Sequence, residues 1–152
     1  MHRRQFLFAL AATAPALAVA TPAAAREPRT YTGFLSDLAV QGHDPVAYVT
    51  DGRPVKGRRA FETKHEGATW RFASRRNLEV FAREPARFAP QYGGYCAWAV
   101  AQGRLAKGDA RFWAVVDGKL YLNFDQSIQD LWDGDRAGFI RRAGANWPAI
   151  LG

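Results

Sequence analysis

Phe112-Trp113-Ala114-Val115-Val116-Asp117-Gly118-Lys119-Leu120-Tyr121-Leu122 sets two apolar runs on either side of an Asp-Gly pair. A two-residue hairpin turn needs positive φ at both central positions, and Asp-Gly supplies it, so this stretch predicts a β-hairpin. Upstream, Ala68-Thr69-Trp70-Arg71-Phe72-Ala73 alternates two rings with Thr69 and Arg71, the pattern of a half-buried strand. Ser74 then stands at an N-cap position, and Leu78, Val80, Phe81 and Ala82 form a helical stripe that ends before Pro85. A strand leading into a capped helix is expected there.

Further out the signals are shorter. Gly42-His43-Asp44-Pro45 reads as a turn, Val46-Ala47-Tyr48-Val49 as a β-type run and Asp51-Gly52 as a second turn. Phe88 to Tyr92 is a link through Pro90, after which Gly93 to Ala101 suits a helix entered through two glycines. Ser127 to Ala143 has the spacing of two short helices around Gly134, closed by Asn146-Trp147-Pro148. Arg26 to Gln41 reads as an extended arm anchored by Tyr31, Phe34 and Leu38. No internal repeat and no heptads emerge. The expected architecture is one small α+β domain with short strands, a β-hairpin around Asp117-Gly118 and several helices.

A chain of 152 residues, 48% hydrophobic, has room for one packed core rather than a disordered segment. The formal charge is +7; of 21 Lys and Arg, the loss of Arg3 and Arg4 with a leader leaves 19 against 14 acids, or +5. The basic residues are dispersed among Asp and Glu, which argues against a nucleic-acid partner. No apolar stretch after the N-terminus is long enough to span a membrane, so no span is expected in the mature form.

Residues 1–25 have the three parts of an export signal: His2, Arg3 and Arg4, an apolar stretch from Phe6 to Ala20, and small residues before a cut. Arg3-Arg4-Gln5-Phe6-Leu7 matches the twin-arginine address, which implies the twin-arginine translocase as a partner during export and a periplasmic or other extracytoplasmic destination. Ala23-Ala24-Ala25 supplies the cleavage triplet, with Ala18-Val19-Ala20 as second choice, and cutting after Ala25 makes Arg26 the mature N-terminus. The expected organisation is a signal peptide over 1–25, an arm over 26–41 and the domain over 42–152, ending in a helical extension.

With these residues placed, the chain resembles the YHS-domain proteins, which are related to TRASH-like domains, and in particular their small exported members. The resemblance rests on Gly42-His43-Asp44-Pro45-Val46-Ala47-Tyr48, Gly67 to Ser74, Pro90-Gln91-Tyr92-Gly93-Gly94-Tyr95-Cys96, Val116 to Asn123 and Ala145-Asn146-Trp147-Pro148. It implies a link to metal sensing, copper-transporting ATPases or multicomponent oxygenases. Metal-linked relatives open Asp-Pro-Val-Cys and carry a second Cys after the Tyr/Trp-x-Phe strand; this chain has Ala47 and Ala73 there.

The mature chain offers one thiol, Cys96, two imidazoles, His43 and His65, and no methionine. A site of three or four cysteines within one chain is excluded, and so is a Met-rich copper surface. A Cys/His site suits copper or zinc, with His43 and Cys96 as ligands and Asp44 as a third ligand or a supporting partner. The plain alternatives are a turn histidine satisfied by backbone, a surface His65 and a buried core thiol. A thiol near a helix N-terminus would instead be biased toward thiolate. Tyr48, Trp70, Tyr92, Tyr95, Trp98, Trp113 and Trp147 either wall a ligand pocket around Cys96 or form ordinary core. Three functions follow: metal handling, a non-metal accessory or ligand-binding module, and an enzyme with Cys96 as nucleophile and His43 as base. The last lacks a recognisable orienting residue or oxyanion element.

Overall fold

A computed structural model describes residues 25–152; Arg3, Arg4, Phe6, Leu7 and the rest of the expected leader up to Ala24 lie outside the described residues. The elements are α1 (Pro45–Thr50), β1 (Arg58–His65), β2 (Ala68–Phe72), α2 (Arg75–Arg83), α3 (Pro85–Phe88), α4 (Ala97–Ala101), β3 (Asp109–Val116), β4 (Lys119–Asn123), α5 (Gln126–Asp133) and α6 (Arg136–Asn146). Single 3₁₀ turns lie at Ala39–Gly42, Gln91–Gly94 and Ala149–Leu151. The fold is a small α+β domain with two separate two-stranded antiparallel sheets, β1-β2 and β3-β4.

Both hairpins turn on an acidic residue followed by glycine. Glu66 and Gly67 have φ of 46° and 78°, and Asp117 and Gly118 have 51° and 74°. Positive φ at both positions gives the turn a twist that matches the strands it joins. Across the second hairpin Trp113 faces Leu122 and Val116 faces Lys119, as the sequence predicts. Each hairpin feeds a capped helix: Ser74 Oγ accepts the Asn77 N–H at 3.1 Å, and Asp125 Oδ1 accepts the Ile128 N–H at 2.9 Å.

Two local readings are corrected. Val46 to Val49 lies in helix α1, not in a strand, because Asp44 caps it by accepting the Val46 and Ala47 N–H groups and Pro45 presets the first helical φ. The helix expected over Gly93 to Ala101 is only α4. Gly93 and Gly94 belong to the preceding 3₁₀ turn, and Tyr95 and Cys96 are extended. Two helices do follow around Gly134, as α5 and α6.

The order of elements occurs twice, a duplication the sequence reading misses. Turn Ala39–Gly42, α1, β1, β2 and α2 recur as turn Gln91–Gly94, α4, β3, β4 and α5. His43 bridges Lys56 in the first copy, and Tyr95 bridges Lys107 in the second. Asp44 N–H donates to Val55 O at 2.8 Å, and Cys96 N–H donates to Ala106 O at 2.9 Å. Both hairpins bulge near their open end, between Arg58 and Glu62 and between Asp109 and Trp113. The clearest sequence trace is Gly52-Arg53-Pro54-Val55-Lys56-Gly57 against Gly103-Arg104-Leu105-Ala106-Lys107-Gly108.

The first core spans both copies: Val46, Tyr48, Trp70, Phe72 and Phe81 are buried together with Ala110, Leu120 and Leu122 of β3 and β4, while Tyr92, Val100, Tyr121 and Trp132 are buried in a second core. Polar stitches join the copies: Tyr48 Oη donates to Ala110 O at 2.7 Å, and the Gln41 amide donates to Gly108 O and accepts the Ala110 N–H. The segment after Ala25 straps across the second copy. Glu27 N–H donates to Leu151 O, Tyr31 N–H to Gly93 O, and Tyr95 Oη to Pro28 O. Phe34, expected as an anchor of this arm, is instead 96% exposed beside Leu35.

Candidate functional site

Asp44 and Cys96 occupy equivalent places, one before each short helix, and they do opposite things there. Asp44 is fully buried and satisfied. Its Oδ1 accepts Val46 N–H at 2.9 Å and Ala47 N–H at 3.4 Å, while Oδ2 accepts Ala73 N–H at 2.8 Å and the Asn77 amide at 2.7 Å. One carboxylate therefore ties α1, the end of β2 and α2 together. Ala47 and Ala73, the positions that metal-linked relatives fill with cysteine, both sit on this carboxylate through their N–H groups.

Cys96 is 1% exposed and cannot cap α4 as Asp44 caps α1. Asn123, at the end of β4, takes over the cap: its Oδ1 accepts the Trp98 N–H at 3.1 Å and the Cys96 thiol at 3.6 Å. Its amide donates to Gln129 Oε1 at 3.0 Å, and Gln129 donates on to Asp133. Burial pushes the Cys96 thiol above its ordinary value, outweighing backbone N–H groups nearby that favour the thiolate. The cysteine is held as a neutral thiol, contrary to the bias toward thiolate expected at a helix start.

His43 lies elsewhere. Its Nδ1 pairs with Val40 O at 3.1 Å, and it bridges Lys56 through the backbone. Desolvation lowers its titration, opposed by the Val40 carbonyl and reinforced by Lys56. Its partners and those of Cys96 share no residue, so no Cys–His couple forms for nucleophilic work. His65 is half-buried, edge-on to Trp70 and Phe81 rather than free on the surface. Among the described residues no three His, Cys, Asp or Glu side chains come together as a metal-holding group. His43, Asp44 and Cys96 do not fit one metal centre: Asp44 is consumed by four hydrogen bonds, and the His43 and Cys96 side chains pair with different residues, Val40 and Asn123.

A cavity of about 280 Å³ opens where Cys96 stands, lined by Cys96, Trp98, Ala99, Arg104, Leu105, Ala106, Phe124 and Ile128. In the first copy the matching positions include Asp44, Ala47, Ala73 and Asn77, the groups closed by the carboxylate. Replacing Asp44 by a thiol and Asn77 by Ile128 removes that polar lock and leaves an apolar recess. Of the seven rings expected around Cys96, only Trp98 lines it; Tyr92, Tyr95 and Trp147 stack with one another and with Tyr31 and Tyr121. Arg104, Phe124 and Asn123 were not foreseen. The signal that points to them is the offset between the two Gly-Arg-x-x-Lys-Gly stretches.

No helix of the described residues is long and apolar enough to cross a membrane. No curated protein and no solved structure matches the chain. Residues 46–92 match the family model of the YHS domain, which covers the first structural copy from α1 through the turn that begins the second. The family model thus identifies residues 46–92 as a YHS domain, a metal-associated type of domain.

Proposed function

We propose that this protein is an exported, non-metal ligand-binding or accessory module, whose second copy holds a small apolar molecule in the cavity at Cys96. The observation that carries the reading is the contrast between the two equivalent places. Asp44 seals the first with hydrogen bonds, and Cys96 floors an apolar cavity in the second. Ligand sites are concave and mainly apolar with a few placed polar groups, which describes this cavity. Burial of the thiol and its bond to Asn123 support a structural role for Cys96 within the wall.

The test titrates natively purified protein with a neutral apolar probe, octan-1-ol, by calorimetry. Saturable one-site binding, abolished by Ile128→Trp and kept in Cys96→Ala with a native fold, is the expected result. Absence of binding overturns the reading. So does stoichiometric copper or zinc that is lost in both Cys96→Ala and His43→Ala, which would restore metal handling. Export through the twin-arginine route rests on Arg3-Arg4-Gln5-Phe6-Leu7. Replacing Arg3 and Arg4 by Lys is expected to retain the precursor inside the cell, and undiminished export refutes that route.

A further inference from the structure

The cavity at Cys96 has an apolar lining with one charged residue, Arg104. The Arg104 guanidinium stands over the Trp98 ring, 5.2 Å from its centroid, and Lys107 Nζ stands 4.9 Å from the centroid of Phe124. Trp98 and Phe124 are two walls of the cavity; Arg104 lines it beside Trp98, whereas Lys107 rests on Phe124 outside the lining and has the Asp109 carboxylate near it. Among the described residues Arg104 forms no ion pair. Asp125 lies close enough to Cys96 to act on its titration, but its carboxylate accepts the Ile128 N–H and does not line the cavity.

An unpaired guanidinium in the wall of an otherwise apolar recess is complementary to one kind of molecule: a compact apolar body ending in a single negative charge. Arginine suits the charged end because its planar fork meets a carboxylate through two parallel hydrogen bonds. At about 30 Å³ for each water-sized group, the cavity has room for about nine such groups. That is the size of a carboxylate on a short alkyl chain or one ring.

We propose that the cavity recognises small amphipathic carboxylates, with Arg104 holding the head and Trp98, Leu105, Phe124 and Ile128 holding the body. The assignment rests on the ligand-binding reading above and adds to it the charge and size of the ligand.

The experiment compares octanoate with octan-1-ol by calorimetry on the mature protein, on Arg104→Gln/Lys107→Gln and on Ile128→Trp. Octanoate is expected to bind about tenfold or more tightly than the alcohol, the range of a charge-assisted hydrogen bond in a partly desolvated site. The double substitution should bring octanoate down to the level of the alcohol measured on the same variant, and Ile128→Trp should remove both. The preference should shrink as salt is raised. Equal binding of the two probes by the unaltered protein refutes the carboxylate assignment while leaving the apolar site intact. A preference that survives the double substitution also refutes it, because the head group is then held elsewhere. Binding of neither probe overturns this proposal and the underlying reading together.

Discussion

Replacing Asp44 tests directly whether it is a structural lock or a ligand in reserve. Asp44→Ala removes the cap of α1 and leaves the Ala73 N–H and the Asn77 amide without their acceptor, at a place with no exposure of the aspartate to solvent. Loss of the cap costs about 1 kcal/mol, and each stranded donor about 1–3 kcal/mol, which together come to about 4 kcal/mol. Asp44→Asn separates the contributions. Its remaining oxygen still caps α1, but its amide now faces two donors, so about 3 kcal/mol is still lost. In urea, with a slope of about 1.5 kcal/mol per molar, the midpoint should fall by roughly 2–3 M for Ala and somewhat less for Asn. The assay is equilibrium unfolding of metal-free protein followed by tryptophan fluorescence. Midpoints within about 0.5 M of the unaltered protein for both variants would refute the lock. That result is what a carboxylate kept for a metal would give.

Two further predictions follow from the same packing. Burial raises the titration of Cys96 from 9.0 and of Tyr48, Tyr92, Tyr95 and Tyr121 from 10.0. Because the folded values lie above the unfolded ones, this contribution to stability is full below about pH 9 and is lost as pH rises through the folded values. Thermal midpoints should fall steadily above pH 9, with the absorbance of these four tyrosinates appearing late and together with unfolding; early ionisation of more than one of the five tyrosines in folded protein would contradict it. Gly93→Ala should detach the strap, since a Cβ there overlaps the Arg29 carbonyl oxygen and φ is +61°. The cost should exceed about 1 kcal/mol, with faster tryptic cleavage after Arg29, and an unchanged digestion pattern would show that the strap is not held at Gly93.

How much of the fold is legible along the chain depends on how local its causes are. The hairpin at Asp117-Gly118, the strand from Ala68 and the Ser74 cap are each set by side chains within a few residues of one another, and they stand as read. Val46 to Val49 failed because three β-type side chains, Val46, Tyr48 and Val49, outvoted Asp44-Pro45, a cap and a helix opener whose effect depends on a carboxylate buried by β2 and α2. The proposed export address at Arg3-Arg4-Gln5-Phe6-Leu7 is a reading of linear sequence alone, since a translocase reads sequence rather than shape.

The site was less legible because it is built by distance. Residue types alone bound the donors to one thiol and two imidazoles, and they marked Cys96 as the residue to explain. They did not show that His43 faces Val40 and Lys56, that Asn123 reaches across to cap α4, or that Arg104 rests on Trp98. The duplication decided most of this: two copies with few shared identities place Asp44 and Cys96 at one equivalent position. A backbone arrangement survives exchange of its side chains so long as turns, caps and apolar faces keep their places, so only the tertiary structure exposes it. By itself the sequence determined the secondary-structure signals and the limits on metal chemistry, and it carries the proposed export address. Which polar groups satisfy one another, and where an apolar hollow is left over, was decided by packing, because hydrogen bonds and cavities join residues that the chain order keeps apart.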